Sequence, residues 1–299
     1  MRTLTRRCLW ALLFLAGSVQ AAGNPETPEQ QARTDWYQGI LAGYQVLARD
    51  SESLERSAQD YCRHPDEAGL DALKAAWQQA FLAWQAVRFV DFGPVETDNR
   101  AWQFQFWPDP KNLVARKARA LLAAGTDVTA EQVAQAGVAA QGFPMVEYLL
   151  YDDTFSRSAQ ALPAASSCTL LTAVTGHIAG NSRQLLADWQ EFRAHYLEAT
   201  PYRDTTIRAA LAALEILEER RLAQPMGLRG TGKRSVYAAD AWRSGSSLVA
   251  IEASVRGLQD AWALRVAETT TAGRSTNVGR SRTTRSSPGN RVAIKIPGI

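Results

Sequence analysis

The sequence predicts an all-α protein of two packed helical bundles. Two observations carry this: Ala, Leu, Gln, Glu and Arg dominate between residues 30 and 265, and no run of alternating β-branched residues is long enough for a sheet. A third is the spacing of breaks rich in Gly, Pro, Asp and Ser. They fall at Phe92-Gly93-Pro94, Trp107-Pro108-Asp109-Pro110, Gly125-Thr126-Asp127, from Tyr151 to Pro163, and from Gln224 to Ser235.

The helical stretches between those breaks run over 28–63, 67–92, 111–123, 129–141, 144–151, 165–198, 203–222 and 236–266. In the second, Leu73, Trp77, Phe81 and Trp84 share one face, which reads as core. In the fifth, Gly142 allows an unusual backbone turn and Pro144 suits a first helical position, where no N–H is needed. Glu147 is then a lone carboxylate in an apolar helix, able to act as ligand, base or favourable charge near the positive end of the dipole. Helices of this length and number make bundles, with 152–163 as the expected boundary. The expected division is 22–151 for the first bundle and 152–268 for the second.

Residues 1–21 read as a secretory signal peptide. Arg2, Arg6 and Arg7 precede a short apolar run from Cys8 to Ala16, and Val19-Gln20-Ala21 ends in a small-residue cleavage site. No later segment reaches the roughly 20 apolar residues of a transmembrane helix. The expectation is an exported protein of the cell envelope, periplasmic in a Gram-negative host. Cleavage leaves Cys62 and Cys168, which are expected to join as one disulfide in a compartment permitting oxidation, with two buried free thiols as the alternative. Closing a loop of about a hundred residues stabilises by about 4 to 5 kcal/mol in the chain-entropy treatment.

The formal charge of +3 misleads about partners. Three arginines lie in the leader, and Arg274, Arg280, Arg282, Arg285, Arg291 and Lys295 lie beyond residue 268 with no acid, so the body between carries −6. An acidic body with scattered basic residues argues against nucleic-acid binding. From Thr269 to residue 299 the composition turns to Thr, Ser, Gly and Arg, which predicts a disordered basic tail. So abrupt a change is also what a reading-frame slip near the 3′ end of the gene would produce.

Three segments stand out: the run from Trp77 to Arg88 followed by Phe92-Gly93-Pro94, the run from Gly142 to Tyr151, and Tyr237-Ala238-Ala239-Asp240-Ala241-Trp242-Arg243-Ser244 with Ser247. Together they resemble the imelysin family of exported bacterial helical proteins, which are linked to iron uptake and nominally classed as metallopeptidases. The family hallmark is Gly-x-His-x-x-Glu. Gly142 and Glu147 match it, while Pro144 stands where the histidine belongs. A His and a Glu three apart on a helix can share a metal, whereas proline has no donor atom. The resemblance brings iron or zinc into consideration as cofactor, and the residues supply no metal ligand set.

His64, His177 and His195 lack convincing partner spacing; Glu191 precedes His195 by four on what reads as a solvated face. His-Glu-x-x-His and Gly-x-Ser-x-Gly are both absent, and no histidine is placed to activate Ser244 or Ser247. The residues therefore name no catalytic group. The resemblance places Arg88, Glu147, Tyr151, Asp240, Arg243 and Ser244 near one cleft, with Trp84 and Trp107 as walls. Each also has a purely structural reading: Arg88 as an ion-pair partner of Glu147 or Asp91, Trp84 as core, and Ser244 as a turn cap. The expected role is a non-catalytic component of iron acquisition that binds a small polar ligand, a peptide or an envelope protein partner. The alternatives are a metallopeptidase using Glu147 with a non-standard metal site, and a structural module docking an envelope partner. Trp102-Gln103-Phe104-Gln105-Phe106-Trp107 presents one aromatic face, as core lid or docking patch.

Overall fold

The computed structural model describes residues 27–272 apart from 124, 126, 127 and 231, with side chains described through Trp262 in the last helix. The expected leader, and the expected tail from residue 273 onward, lie outside the described residues. All regular structure in the described part is helical. The principal helices are α1 (Pro28–Arg63), α2 (Glu67–Val87), α3 (Arg100–Phe104), α4 (Leu113–Ala123), α5 (Ala130–Gln135), α6 (Gly142–Tyr151), α7 (Ala165–Glu191), α8 (Arg193–Glu198), α9 (Tyr202–Ile216) and α10 (Ser247–Ala272).

Local chemistry sets these boundaries. Thr27 and Gln30 form a reciprocal capping box at the start of α1, with Pro28 in the first turn, and Thr129 and Gln132 do the same for α5. Asp66 caps α2 by accepting from the Gly69 N–H at 2.6 Å. Asp109 accepts from the N–H groups of Leu113 and Val114, satisfying two donors at the start of α4.

The long helix α1 is the spine, packed against α2, α7 and α10. It runs antiparallel to α7. At one end the Tyr37 and Trp189 rings stack with centroids 5.5 Å apart. At the other, Cys62 and Cys168 form the expected disulfide, with Cα atoms 5.5 Å apart. Helix α10 lies against α2 so closely that a Cβ on Gly257 would stand 1.9 Å from the Ala86 carbonyl oxygen, and only glycine permits that approach. The stripe Leu73, Trp77, Phe81 and Trp84 is buried, each residue at most 1% exposed. Full burial of such side chains stabilises by about 1.5–3 kcal/mol each relative to exposure.

Helix α6 is the innermost short helix, with only Pro144 and Tyr151 partly exposed. Gly142 begins it at φ +72°, and a Cβ there would lie 2.2 Å from the Phe104 carbonyl oxygen. That backbone contact seats α6 against the end of α3. The helix starts two residues earlier than the proline implies, so Pro144 occupies the third helical position.

Two other segments depart from the periodicity. Residues 100–104 form helix α3, so Phe104 is fully buried while Trp102 is exposed. Residues 236–246, expected as the start of a long helix, form a 3-10 turn (Val236–Ala238) and an irregular loop before α10 begins at Ser247. Ala241 at φ +47° and Gly245 at φ +68° break the helix there. At the other end α10 is helical through Ala272, a few residues into the segment expected to be disordered.

Candidate functional site

The irregular loop 239–246 brings the third sequence segment onto α6. Glu147, 3% exposed, points from α6 toward this loop, and its Oε1 accepts from both the backbone N–H and the Oγ–H of Ser244, each at 2.9 Å. Among the described residues no hydrogen bond falls on Oε2. Burial pushes the Glu147 carboxyl above the usual carboxylate range, opposed by the two Ser244 bonds and the Arg243 charge; nearby Asp240 adds to the rise.

Arg243 is held from three sides. Its Nε donates to Asp152 Oδ2 at 2.9 Å, its Nη2 donates to Asn112 Oδ1 at 2.9 Å, and the guanidinium lies over the Trp242 ring at 4.4 Å. It is a fixed wall cation, joining the loop to α4 and to the end of α6.

Beside these groups opens a cleft of about 360 Å3, within the size range of small-ligand sites. Glu147, Arg243, Gln105, Asp109 and Asn112 supply its polar lining; Trp107, Trp242 and Tyr237 supply aromatic surface, and Pro144 forms part of the wall. The motif position filled by proline thus faces the cleft as an apolar surface.

The other expected site residues divide. Ser244 anchors Glu147. Tyr151 packs on Trp77 with centroids 5.3 Å apart, and burial together with the Glu147 charge pushes its hydroxyl up to about 12. Trp84, a wall by the resemblance and core by its helical stripe, is core. It stacks on Phe104 at 4.6 Å and reaches the site only by donating from Nε1 to Gln105 Oε1 at 3.1 Å. Arg88 pairs with neither Glu147 nor Asp91: its Nη1 donates to Gln105 Oε1 at 3.1 Å and lies 3.6 Å from Asp240 Oδ2. Asp240 is fully buried and faces Arg221, whose Nη2 is 2.9 Å away.

Sequence reasoning missed Gln105 and Arg221. Gln105 Oε1 takes three donors, from Trp84, Gln85 and Arg88. Its signal was a polar residue inside an aromatic run, which looked like mere alternation. Arg221 stood in a charged stretch, Glu218-Glu219-Arg220-Arg221, that reads as a solvated face.

A metal finds no set of donors at Glu147. Pro144 has none, Arg243 is cationic, Asp240 is turned to two guanidiniums, and both Asp109 oxygens accept from the N–H groups that open α4. Among the described residues no group of three or more His, Cys, Asp or Glu side chains gathers to hold an ion.

The raised Glu147 carboxyl makes stability depend on pH, and linkage gives the sign. A carboxyl held above its unfolded value of about 4.3 stabilises the fold fully below that value and loses the contribution as pH rises through the folded value. Glu147→Gln keeps an oxygen to accept the Ser244 bonds and removes the titration. Its stability relative to wild type, measured by urea unfolding between pH 4 and 8, is expected to improve steadily with pH.

With the buried Glu–Ser contact and the aromatic cleft in place, the family can be stated: the chain belongs to the imelysin family, whose sequence profile matches residues 40–278. Iron-regulated protein A of Synechococcus elongatus is 23% identical over 154 residues, covering 52% of this chain and 38% of that protein, so the alignment spans well under half of the relative. An imelysin-like protein from Psychrobacter arcticum superposes with TM-score 0.70 at 23% identity, over 83% of this chain and 77% of its own. A putative iron-regulated protein A precursor from Parabacteroides distasonis gives TM-score 0.59 at 15% identity, over 80% and 75%. At such identities the two structures bear on fold alone. Among the described residues no helix is long and apolar enough to cross a membrane.

Proposed function

We propose that this chain is an exported, periplasmic binding component of iron-associated physiology in the bacterial envelope, and that it is not a peptidase. The iron association rests on the names of its relatives, and export on the basic and apolar leader. One observation carries the molecular reading. Glu147 is fixed by Ser244 through one oxygen beside an aromatic cleft, with a proline where the family's histidine would stand. A carboxylate so held is an acceptor for ligand N–H groups, and the rings supply buried area. Arg243, held in place by Asp152 and Asn112, keeps its Nη1 donors to orient a polar group at the rim. The occupant is a small polar ligand or a peptide segment that brings donors to Glu147.

Elemental analysis tests this against the metallopeptidase reading. Mature protein purified without chelator or affinity metal, then challenged with zinc and iron and desalted, is expected to retain far less than one equivalent of either. Stoichiometric retention lost in Glu147→Gln would overturn the proposal, since a catalytic zinc needs about three protein ligands and would have found them.

A further inference from the structure

Helix α9 changes its winding where it meets the buried aspartate. Leu217–Ala223 is π-helical, a rare conformation concentrated at functional positions. The widened turn carries Arg221 inward to 4% exposure. Its Nη1 donates to Ser254 Oγ at 2.8 Å. Its Nη2 stands 2.9 Å from Asp240 Oδ2 without hydrogen-bond alignment, and its Nε has no hydrogen-bond partner. Arg88 approaches the same Oδ2 at 3.6 Å. Two guanidiniums therefore share one carboxylate, Arg221 buried and Arg88 with 22% of its side chain exposed, and the cluster carries a net positive charge. Desolvation drags both arginines down, Arg88 to about 10. A buried cation without a counter-charge is costly, so the arrangement calls for an anion.

A cavity of about 80 Å3 adjoins both arginines. Its polar lining is Arg88, Arg221, Ser254 and Asp91; the rest is the Phe89 ring and alkyl surface, including Ala209, Ala213, Leu217 and Leu258. Asp91 is exposed, and among the described residues it forms no ion pair with either arginine, so it does not neutralise the buried set. The cavity lies apart from the Glu147 cleft: Ala239 and Ala241 line the cleft, while Asp240 between them turns to the arginines.

The geometry points to this cavity as a second site, for a small monocarboxylate with a short alkyl tail. The Nη1 edge of Arg221 beside Ser254 and the guanidinium of Arg88 meet the carboxylate, and the alanine and leucine walls meet the tail. Guanidinium matches a planar carboxylate better than a spherical ion. A second acid group on the ligand would face alkyl wall, so dicarboxylates are excluded.

Calorimetric titration of the mature protein with butyrate, in carboxylate-free buffer, tests the site. Saturable 1:1 binding is expected, with no comparable binding of 1-butanol or chloride. Ala213→Leu fills the cavity without touching a charge and is expected to weaken butyrate binding by about tenfold or more. Asp91→Asn, which removes a repelling charge at the mouth, is expected to strengthen it. Circular dichroism establishes that each variant is folded. Absence of saturable binding up to about 50 mM butyrate, equal binding of 1-butanol, or unchanged affinity in folded Ala213→Leu overturns the proposal.

Discussion

Asp240→Asn is expected to lower the unfolding free energy by about 3–5 kcal/mol, because removing one member of a buried ionic group strands the others. Asparagine keeps the volume and the shape, so the loss reports charge. In this protein the stranded groups are Arg221, 4% exposed, and Arg88, both drawn to Asp240 Oδ2. Urea unfolding measures the loss, and a second substitution identifies its origin. Arg221→Met in the Asp240→Asn background removes one of the two cations and is expected to recover part of the stability, since buried ionic groups exchange for apolar residues at little net cost. If Asp240→Asn is as stable as wild type, Asp240 does not balance the arginines.

Gly142→Ala is expected to cost a similar amount, about 3–5 kcal/mol, from two sources acting together. A left-handed φ of +72° is unfavourable for alanine, and the new Cβ would meet the Phe104 carbonyl oxygen at 2.2 Å. Backbone strain of this kind costs about 1–3 kcal/mol and overpacking about 1–3 kcal/mol more. The relief available is to lift α6 away from α3, which would also displace Glu147 from Ser244. The variant is therefore expected to lose both stability, seen as a lower thermal midpoint, and the Glu147–Ser244 contact. An unchanged midpoint would show that α6 is not seated by this glycine.

The helices were legible because their determinants are local and repetitive. The α1 boundaries follow from Thr27, Pro28 and Gln30 at one end and the His64–Asp66 turn at the other. The face of Leu73, Trp77, Phe81 and Trp84 followed from helical period alone. Failures came where a tertiary contact overrode the local pattern. Residues 236–246 have helical composition, yet the chain there is bent so that Asp240 reaches the arginines and Ser244 reaches Glu147.

Of the candidate site, Glu147, Arg243 and Ser244 were found through motif residues whose spacing survives in this chain, and the structure brings them together. Trp84 lies in the core, as its helical stripe indicated, and not on the cleft wall where the resemblance alone would set it. Gln105 and Arg221 were missed because their partners are distant. Arg221 meets Asp240 and Ser254, and nothing within its own helix announces that. A buried polar hub is a property of the assembled fold and leaves little local trace.

The central claim is that Glu147 is the polar anchor of a binding cleft. Trp107 and Trp242 line that cleft, so its occupation is read by tryptophan fluorescence. Wild type and Glu147→Gln are titrated in parallel with a panel of amines, amino acids and short peptides. The account predicts saturable change in the wild type with at least one donor-bearing class, weakened about ten- to a hundredfold in Glu147→Gln, as loss of a charge-assisted hydrogen bond of about 1.5–3 kcal/mol requires. Affinity that is the same in both proteins, or no saturation across the panel, would contradict it.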